Sequence, residues 1–328
     1  MNTILEVKDL SVQFRTEEGS FHAIEHVSFS VQEQKTLAIV GESGSGKSVT
    51  SLAIMQLIAE NGNITGGEIF IDGQDILKLS RKQVQHSILG KKISMIFQEP
   101  MTALNPVIRI GEQITESILE HQQVSKQEAR KIALDTLKQV GIPSPEQRMK
   151  QYPHQLSGGM RQRVMIAMGL VTKPKIMIAD EPTTALDVTI EAQILNLLEE
   201  LKRTYKTSIL FVTHDLNIVA DIADDVLVMY CGEVIEKGPV VDIFEHPRHP
   251  YTKGLLATMP SLDQDEKVLP TIKGSVPNIS KRPQGCHFHP RCEHATDQCR
   301  TTKPQTYQVG LQTVQCFLYA PKKESSNA

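Results

Sequence analysis

A glycine-rich loop set between an apolar run and an amphipathic one constrains this chain more than any other feature: Gly41-Glu-Ser-Gly-Ser-Gly-Lys-Ser48, a G-x-x-x-x-G-K-[ST] pattern. The backbone N–H groups of such a loop can wrap a chain of phosphates, while Lys47 meets the outer phosphates and Ser48 offers its hydroxyl to Mg²⁺. By accident a chain of this length matches the pattern on the order of once in a hundred. The flanks remove most of that risk, because Thr36-Leu-Ala-Ile-Val40 runs into the loop as a buried strand would and Val49 to Ala59 leaves it with helical apolar spacing. Strand, loop and helix in that order aim free N–H groups and the positive end of a helix dipole at an anion, and glycine keeps the approach open. Gly41, Glu42, Ser43, Gly44, Ser45, Gly46, Lys47, Ser48 and Val49 are therefore the candidate phosphate contacts. The competing reading is a glycine turn in a Rossmann-like sheet.

A second group of residues supplies chemistry. Ile176-Met-Ile-Ala179 delivers Asp180 and Glu181 at its end, as a buried strand delivers side chains into a crevice. Asp180 suits Mg²⁺, which takes few carboxylates and keeps several waters; Glu181 suits the orienting or deprotonation of an attacking water. A solvated acidic turn before Pro182 is the bland alternative. Ser208 to Val212 reads as the next strand and ends in Thr213-His214-Asp215. There His214 could sense a γ-phosphate, although a histidine after a strand is commonly structural. Ser157-Gly158-Gly159 opens a helical pattern from Met160 to Leu170, which makes a second anion-binding helix start with Ser157 as a plausible N-cap.

At 328 residues the chain exceeds what one core usually serves, so a main domain with an appendage is expected. Its net charge of −3 argues against a nucleic-acid surface. No stretch approaches the roughly 18 to 20 apolar residues that cross a bilayer, and Met1-Asn-Thr-Ile-Leu-Glu is no signal peptide, so a soluble cytoplasmic protein is expected. Glu6 to Phe14 and Ala23 to Val31 alternate as half-buried strands do. From Met101 to Gln155 the period is helical, notably over Glu112 to His121 and Lys126 to Val140, with Pro143 and Pro145 ending the second run. Lys175 to Ala179, Ser208 to Val212 and Val226 to Met229 then alternate with helices, the pattern of a parallel sheet with ligands at its strand ends. From about His249 the prolines 250, 260, 270, 277, 283 and 290 indicate a separate loop-rich tail, and 321–328 reads as a disordered end.

With Gln98 after Ile93 to Phe97, the run Leu156-Ser-Gly-Gly-Met160, and Ala185-Leu-Asp187 after the carboxylate pair, these motifs fall in one order. Over about three quarters of its length the sequence resembles the ATP-binding cassette (ABC) family. The resemblance implies an α/β fold: a P-loop core with parallel sheet, an N-terminal antiparallel β subdomain, a helical insertion at about 99–157 within residues 1–250, and a small cysteine-containing tail over 251–328. It implies that Gln98 touches Mg²⁺ and the transmembrane partner, that Ser157, Gly158 and Gly159 form the signature, that Asp187 belongs to the D-loop, and that Glu181 and His214 are the catalytic glutamate and switch histidine. The family's signature commonly ends in Gln where Met160 stands; Ser157 and Gly159 are intact, so activity is expected to survive. Phe14 matches the aromatic that stacks on adenine, and would equally suit a core strand.

Gln98 to Pro106, Asp180 to Thr189, His249 to Leu256 and the cysteine tail look like the oligopeptide and dipeptide importers, a group that includes nickel importers. The expected function is thus an ATPase that energises import through a separate permease, with a nickel or metal-chelate importer, or a non-transport ABC ATPase, as alternatives. Expected partners are two permease subunits, a related second ATPase pairing head to tail, and indirectly an extracytoplasmic binding protein, at the cytoplasmic face of the membrane and with no nucleic acid. Cys286, Cys292, Cys299 and Cys316 are spaced C-x5-C-x6-C-x16-C, without the paired C-x-x-C usual for zinc. The resemblance associates such a tail with a [4Fe-4S] cluster; zinc and free buried thiols are the other readings. A tail acting as a redox sensor that gates the ATPase is a further class. Cys231 reads as a buried small hydrophobe.

Overall fold

The computed structural model describes residues 2–17, 19–184, 186–259 and 271–321. Ala185 of the expected D-loop, Pro260, Pro270 and the expected disordered end beyond Pro321 lie outside them. In chain order the first five strands are β1 (Thr3–Thr16), β2 (Gly19–Gln32), β3 (Thr36–Val40), β4 (Gly62–Ile71) and β5 (Gln74–Asp75). β1 and β2 bury their apolar residues and leave others to solvent, with bulges interrupting strict alternation, and these strands join β4 and β5 in an antiparallel sheet of order β2-β1-β4-β5.

The other sheet is built from runs with no polar face. β3 and β6 (Ile93–Ile96), β7 (Ile176–Asp180) and β8 (Ser208–Thr213) are buried at every residue, as parallel strands covered on both sides must be. With β9 (Asp225–Tyr230), β10 (Glu233–Pro239), β11 (Tyr307–Val309) and β12 (Gln312–Val314) they form eight strands in the order β11-β12-β10-β9-β3-β8-β7-β6. Pairings β3–β8, β3–β9, β7–β8 and β6–β7 are parallel; those of β10, β11 and β12 are antiparallel. The C-terminal ends of β3, β7 and β8 consequently open on one crevice.

The helical insertion forms as its periodicity indicates. Helices Ile110–His121, Lys126–Gln139 and Gly158–Leu170 bury Ile110, Ile114, Ile118, Ala133, Leu137 and Val164 in one cluster with Met177, Ala179 and Phe211 of the sheet. The helix after the phosphate loop is shorter than its apolar spacing suggests, Lys47–Ile54, because Gln56 turns left-handed (φ 53°) just beyond the Met55 cap. Leu57, beyond that turn, is 45% exposed.

The tail departs from the expectation of a separate body. β12 pairs with β10 (Glu236↔Val314, Lys237↔Thr313), and β11 adds to β12, so the tail extends the main sheet. Tyr251, Phe288 and Val314 are at most 3% exposed. Tyr251 and Phe288 share a core cluster with Ala38 and Val40 of β3 and with Tyr230. The Phe288 ring stands edge-on to Tyr230 at 5.3 Å between centroids and 5.4 Å from Tyr251. A boundary at 250/251 falls inside the helix Pro250–Ala257, whose buried Tyr251 packs on the cassette. Phe288→Ala is expected to cost about 3–5 kcal/mol. Urea denaturation of the full chain measures it, and a loss below about 1 kcal/mol would show that the tail does not share this core.

Candidate nucleotide site

The phosphate loop depends on backbone that side chains rarely adopt. Gly44 and Gly46 have φ of 79° and 103°, and a Cβ on Gly41 (φ 151°) would lie 2.3 Å from the Met229 carbonyl oxygen. Lys47 is 5% exposed and donates to the carbonyls of Gly41 (2.7 Å) and Glu42 (3.2 Å) of its own loop. Burial pulls its ammonium below the usual lysine range, against the opposing pull of the Glu181, Asp180 and Glu42 carboxylates. Ser43, Gly44, Ser45, Gly46, Lys47, Ser48 and Val49 line a cleft of about 420 Å³ together with Phe14, Gln98 and Glu181. Gly41 and Glu42 are the back of the loop, where Glu42 N donates to the Tyr251 hydroxyl at 2.8 Å.

Opposite the loop, β7 brings Asp180 to 3.2 Å from the Ser48 hydroxyl, which donates to it. Asp180 is 4% exposed, and burial pushes its carboxyl up from the ordinary range despite that hydrogen bond. Glu181 follows in left-handed backbone (φ 45°), with its N–H fixed to the Val212 carbonyl of β8 at 2.8 Å. Such a conformation is costly for a side-chain-bearing residue and persists where neighbours hold it. Three side chains meet its carboxylate: Gln98 Nε2 at 2.9 Å, Thr184 Oγ1 at 2.9 Å and His214 Nδ1 at 3.1 Å. Burial raises the Glu181 pKa, but the hydrogen bonds of His214 and Thr184 and the charges of His214 and Lys47 outweigh it, and the net shift is downward. Gln98 is thus gathered with Glu181 and not with Asp180.

Phe14 lines the cleft, and Phe21 stacks with it at 6.2 Å between centroids. Sequence reading missed Phe21, although the hairpin puts it directly opposite Phe14. Also missed were Thr184, Ala23, and Ile279 of the tail, the last two lining the same cleft. Ser157, Gly158, Gly159 and Asp187 do not line this cleft. Ser157 caps its helix, accepting from Met160 N at 3.4 Å, and a Cβ on Gly159 would meet Ile190 at 2.9 Å. Asp187 caps the helix Val188–Tyr205, accepting from Ile190 N at 3.0 Å.

Cys286, Cys292, Cys299 and Cys316 line one cavity of about 160 Å³ with His249, His289 and His294. Burial pushes the Cys286 thiol up to about 12 and raises Cys292 and Cys316 as well. Among the described residues no three His, Cys, Asp or Glu side chains approach closely enough to share one metal ion. Cys231 is buried, 1% exposed, and its thiol is likewise raised.

Comparison with known proteins agrees with this geometry. Residues 24–184 match the ABC transporter family, and residues 235–299 match the oligopeptide/dipeptide transporter C-terminal region. The oligopeptide transport ATP-binding protein AppD of Bacillus subtilis is 50% identical over 97% of this chain and 98% of its own. The dipeptide transport ATP-binding protein DppD of Haemophilus influenzae is 46% identical over 99% and 97%. Among solved structures, the dimeric ATP-binding cassette MJ0796 in a post-hydrolysis state bound to ADP and Pi superimposes with a TM-score of 0.65 at 29% identity, over 72% of this chain and 98% of that one. The chain belongs to the ABC transporter family, in its branch of oligopeptide and dipeptide transport ATP-binding proteins.

Proposed function

We propose that this chain is one of two related ATPase subunits that pair head to tail and drive peptide import through separate membrane permeases. The family makes it the ATP-hydrolysing subunit of a peptide importer. The observation that carries the mechanism is the convergence of Gln98, Thr184 and His214 on Glu181 beside the Ser48–Asp180 contact. Lys47 and the N–H groups of Gly44 to Val49 take the phosphates, and Phe14 and Phe21 offer a surface to the base. Glu181, kept ionised by its neighbours, accepts a proton from the water that attacks the γ-phosphorus, while ADP leaves with the bridging oxygen's electron pair. His214, on the same carboxylate, registers whether the γ-phosphate is present. Ser48 and Asp180 would hold Mg²⁺, while Gln98 stays on the neighbouring Glu181; the ion would supply neutralisation of the phosphate charge.

Head-to-tail pairing is supported by position. Ser157, Gly158 and Gly159 carry a capped helix start away from the chain's own cleft, free to close on nucleotide held by a related second ATPase. The permease contact is read on the insertion side, where Phe97, Met101 and Val107 are exposed large apolar residues. No helix of the described residues is long and apolar enough to cross a membrane, which suits a subunit bound to permeases at the cytoplasmic face. Residues 1–250 form the cassette in this reading and 251–328 the tail. The four cysteines would hold a [4Fe-4S] cluster: four thiols lining one cavity, with no three of them among the described residues gathered on a single ion, favour a multi-atom group, which there would supply a covalent staple, over zinc. An extracytoplasmic binding protein would deliver substrate to the permease.

Lys47→Ala is expected to abolish nucleotide binding, and Glu181→Gln to bind ATP and elute as a trapped dimer on size exclusion; normal turnover by Glu181→Gln removes the role assigned to it. Thr184→Val takes away one of the bonds that lowers the Glu181 pKa, so the acid limb of the kcat–pH profile moves to higher pH, and an unmoved limb rejects Glu181 as the base. Cells lacking the chain should lose uptake of labelled peptide and keep that of labelled nickel; the reverse selects the metal importer.

A further inference from the structure

Glu42 is held at four atoms. Its N–H donates to the Tyr251 hydroxyl (2.8 Å), its carbonyl accepts from Lys47 Nζ (3.2 Å), and its carboxylate takes both arms of the Arg291 guanidinium, Nη1 to Oε2 at 2.7 Å and Nη2 to Oε1 at 3.1 Å. The Arg291 side chain is only 4% exposed, although it belongs to the tail. Nε donates to the Lys273 carbonyl at 3.0 Å, and the guanidinium lies 5.9 Å from the Tyr230 ring centre and 6.0 Å from that of Phe288. A planar fork fixed on every side transmits position as well as charge. Residues 249 apart in sequence are thus joined in one series, from the turn His289–Arg291 through Glu42 to the carbonyl that holds the phosphate-loop lysine.

We propose that Arg291 is a positioning residue of the nucleotide site: through Glu42 it sets the shape of the phosphate loop, so that the tail controls how tightly nucleotide is held. The inference rests on the reading that this loop binds ATP. Burial alone would need no charged fork here, since the Tyr230–Tyr251–Phe288 cluster already fastens the tail. What the ion pair adds is a constraint on one loop residue, whose carbonyl orients Lys47 and whose neighbours Ser43 to Val49 line the cleft. The turn that carries Arg291 runs directly into Cys292, whose N–H donates to the His289 carbonyl at 3.3 Å. A rearrangement at the thiol-lined cavity therefore reaches the loop through two hydrogen-bonded residues.

The test uses the full chain assembled with its permease subunits, with Mg-ADP titrated calorimetrically and steady-state ATPase measured beside it. Arg291→Ala is expected to weaken ADP binding and raise the KM for ATP by roughly five- to tenfold with a smaller change in kcat. Glu42→Ala should do the same, and the double variant should be no weaker than either, since both break one coupling. Arg291→Lys, which keeps the charge but not the fork, should fall between. Unchanged ADP affinity in Arg291→Ala with a lowered melting temperature would overturn the proposal, reducing the residue to a fastening of the tail; so would additive losses in the double variant. If Arg291→Ala fails to assemble, wild-type ADP affinity in both Arg291→Lys and Glu42→Ala overturns it equally. Failure of the unsubstituted assembly to bind ADP is a different result, and removes the underlying reading of the loop.

Discussion

A lysine ammonium buried in its own loop is the interaction on which this structure turns. Lys47 is held by two neutral carbonyls, with carboxylates near but none in hydrogen-bond contact, and burying a cation on those terms is costly. The loop can hold that arrangement because three of its glycines take backbone that a Cβ would forbid, one of them pressed on the Met229 carbonyl of β9. An anion entering the cleft brings the missing counter-charge at the point where N–H groups already converge. Binding a phosphate chain there would offset the cost of burying the Lys47 ammonium.

The residues that would act on that phosphate are placed by the sheet. β7 and β8 are parallel neighbours, so Asp180, Glu181 and His214 emerge side by side, and the Glu181 N–H bonded to Val212 fixes the left-handed turn that swings its carboxylate toward Gln98 and His214. The environments of Asp180 and Glu181 shift their carboxyls in opposite directions. Burial and the neighbouring Glu181 charge push the first up against the Ser48 hydrogen bond and the Lys47 charge; against burial, the second collects hydrogen bonds from His214 and Thr184 that carry it down. A cation at Ser48 and Asp180 reverses the first tendency without disturbing the second.

How legible each part was follows from how local its signal is. β3, β7 and β8 announce themselves as short unbroken apolar runs, and the loop and carboxylate pair sit immediately after them, so neighbouring residues carry the whole message. Lys126–Gln139 likewise shows its period and the prolines beyond it. Phe21, Thr184 and Arg291 were illegible because each acquires its place from a pairing: a hairpin register, a strained turn, an ion pair across the molecule. β11 and β12 are three residues each and carry no core pattern long enough to be read; they exist because the edge of β10 offers unpaired backbone groups. The proline spacing suggests loops but cannot say that Phe288 packs edge-on against Tyr230. Composition reports how a segment is built and is silent about what it packs on.

The signature segment raises a mechanical question that its local structure answers. Its helix start is bound to the rest of the chain at Gly159, where the approach of Ile190 leaves no room for a Cβ, and Ile190 N–H is itself the donor to the Asp187 cap. Leu186 N in turn bonds the Thr183 carbonyl, one residue from the Thr184 that holds Glu181. A phosphate held at Ser157, as proposed, would therefore pull on a packed sequence of contacts that ends at the chain's own candidate base. If two subunits close head to tail as proposed, each nucleotide would be sensed twice, directly by Lys47 on one side and through Gly159, Ile190 and Thr184 on the other, so the two sites would be expected to change state together. Packed elements of this kind shift between discrete arrangements and do not deform by degrees, so under the proposed pairing hydrolysis of the γ-phosphate beside Glu181 would be expressed as a stepwise displacement that a permease could use.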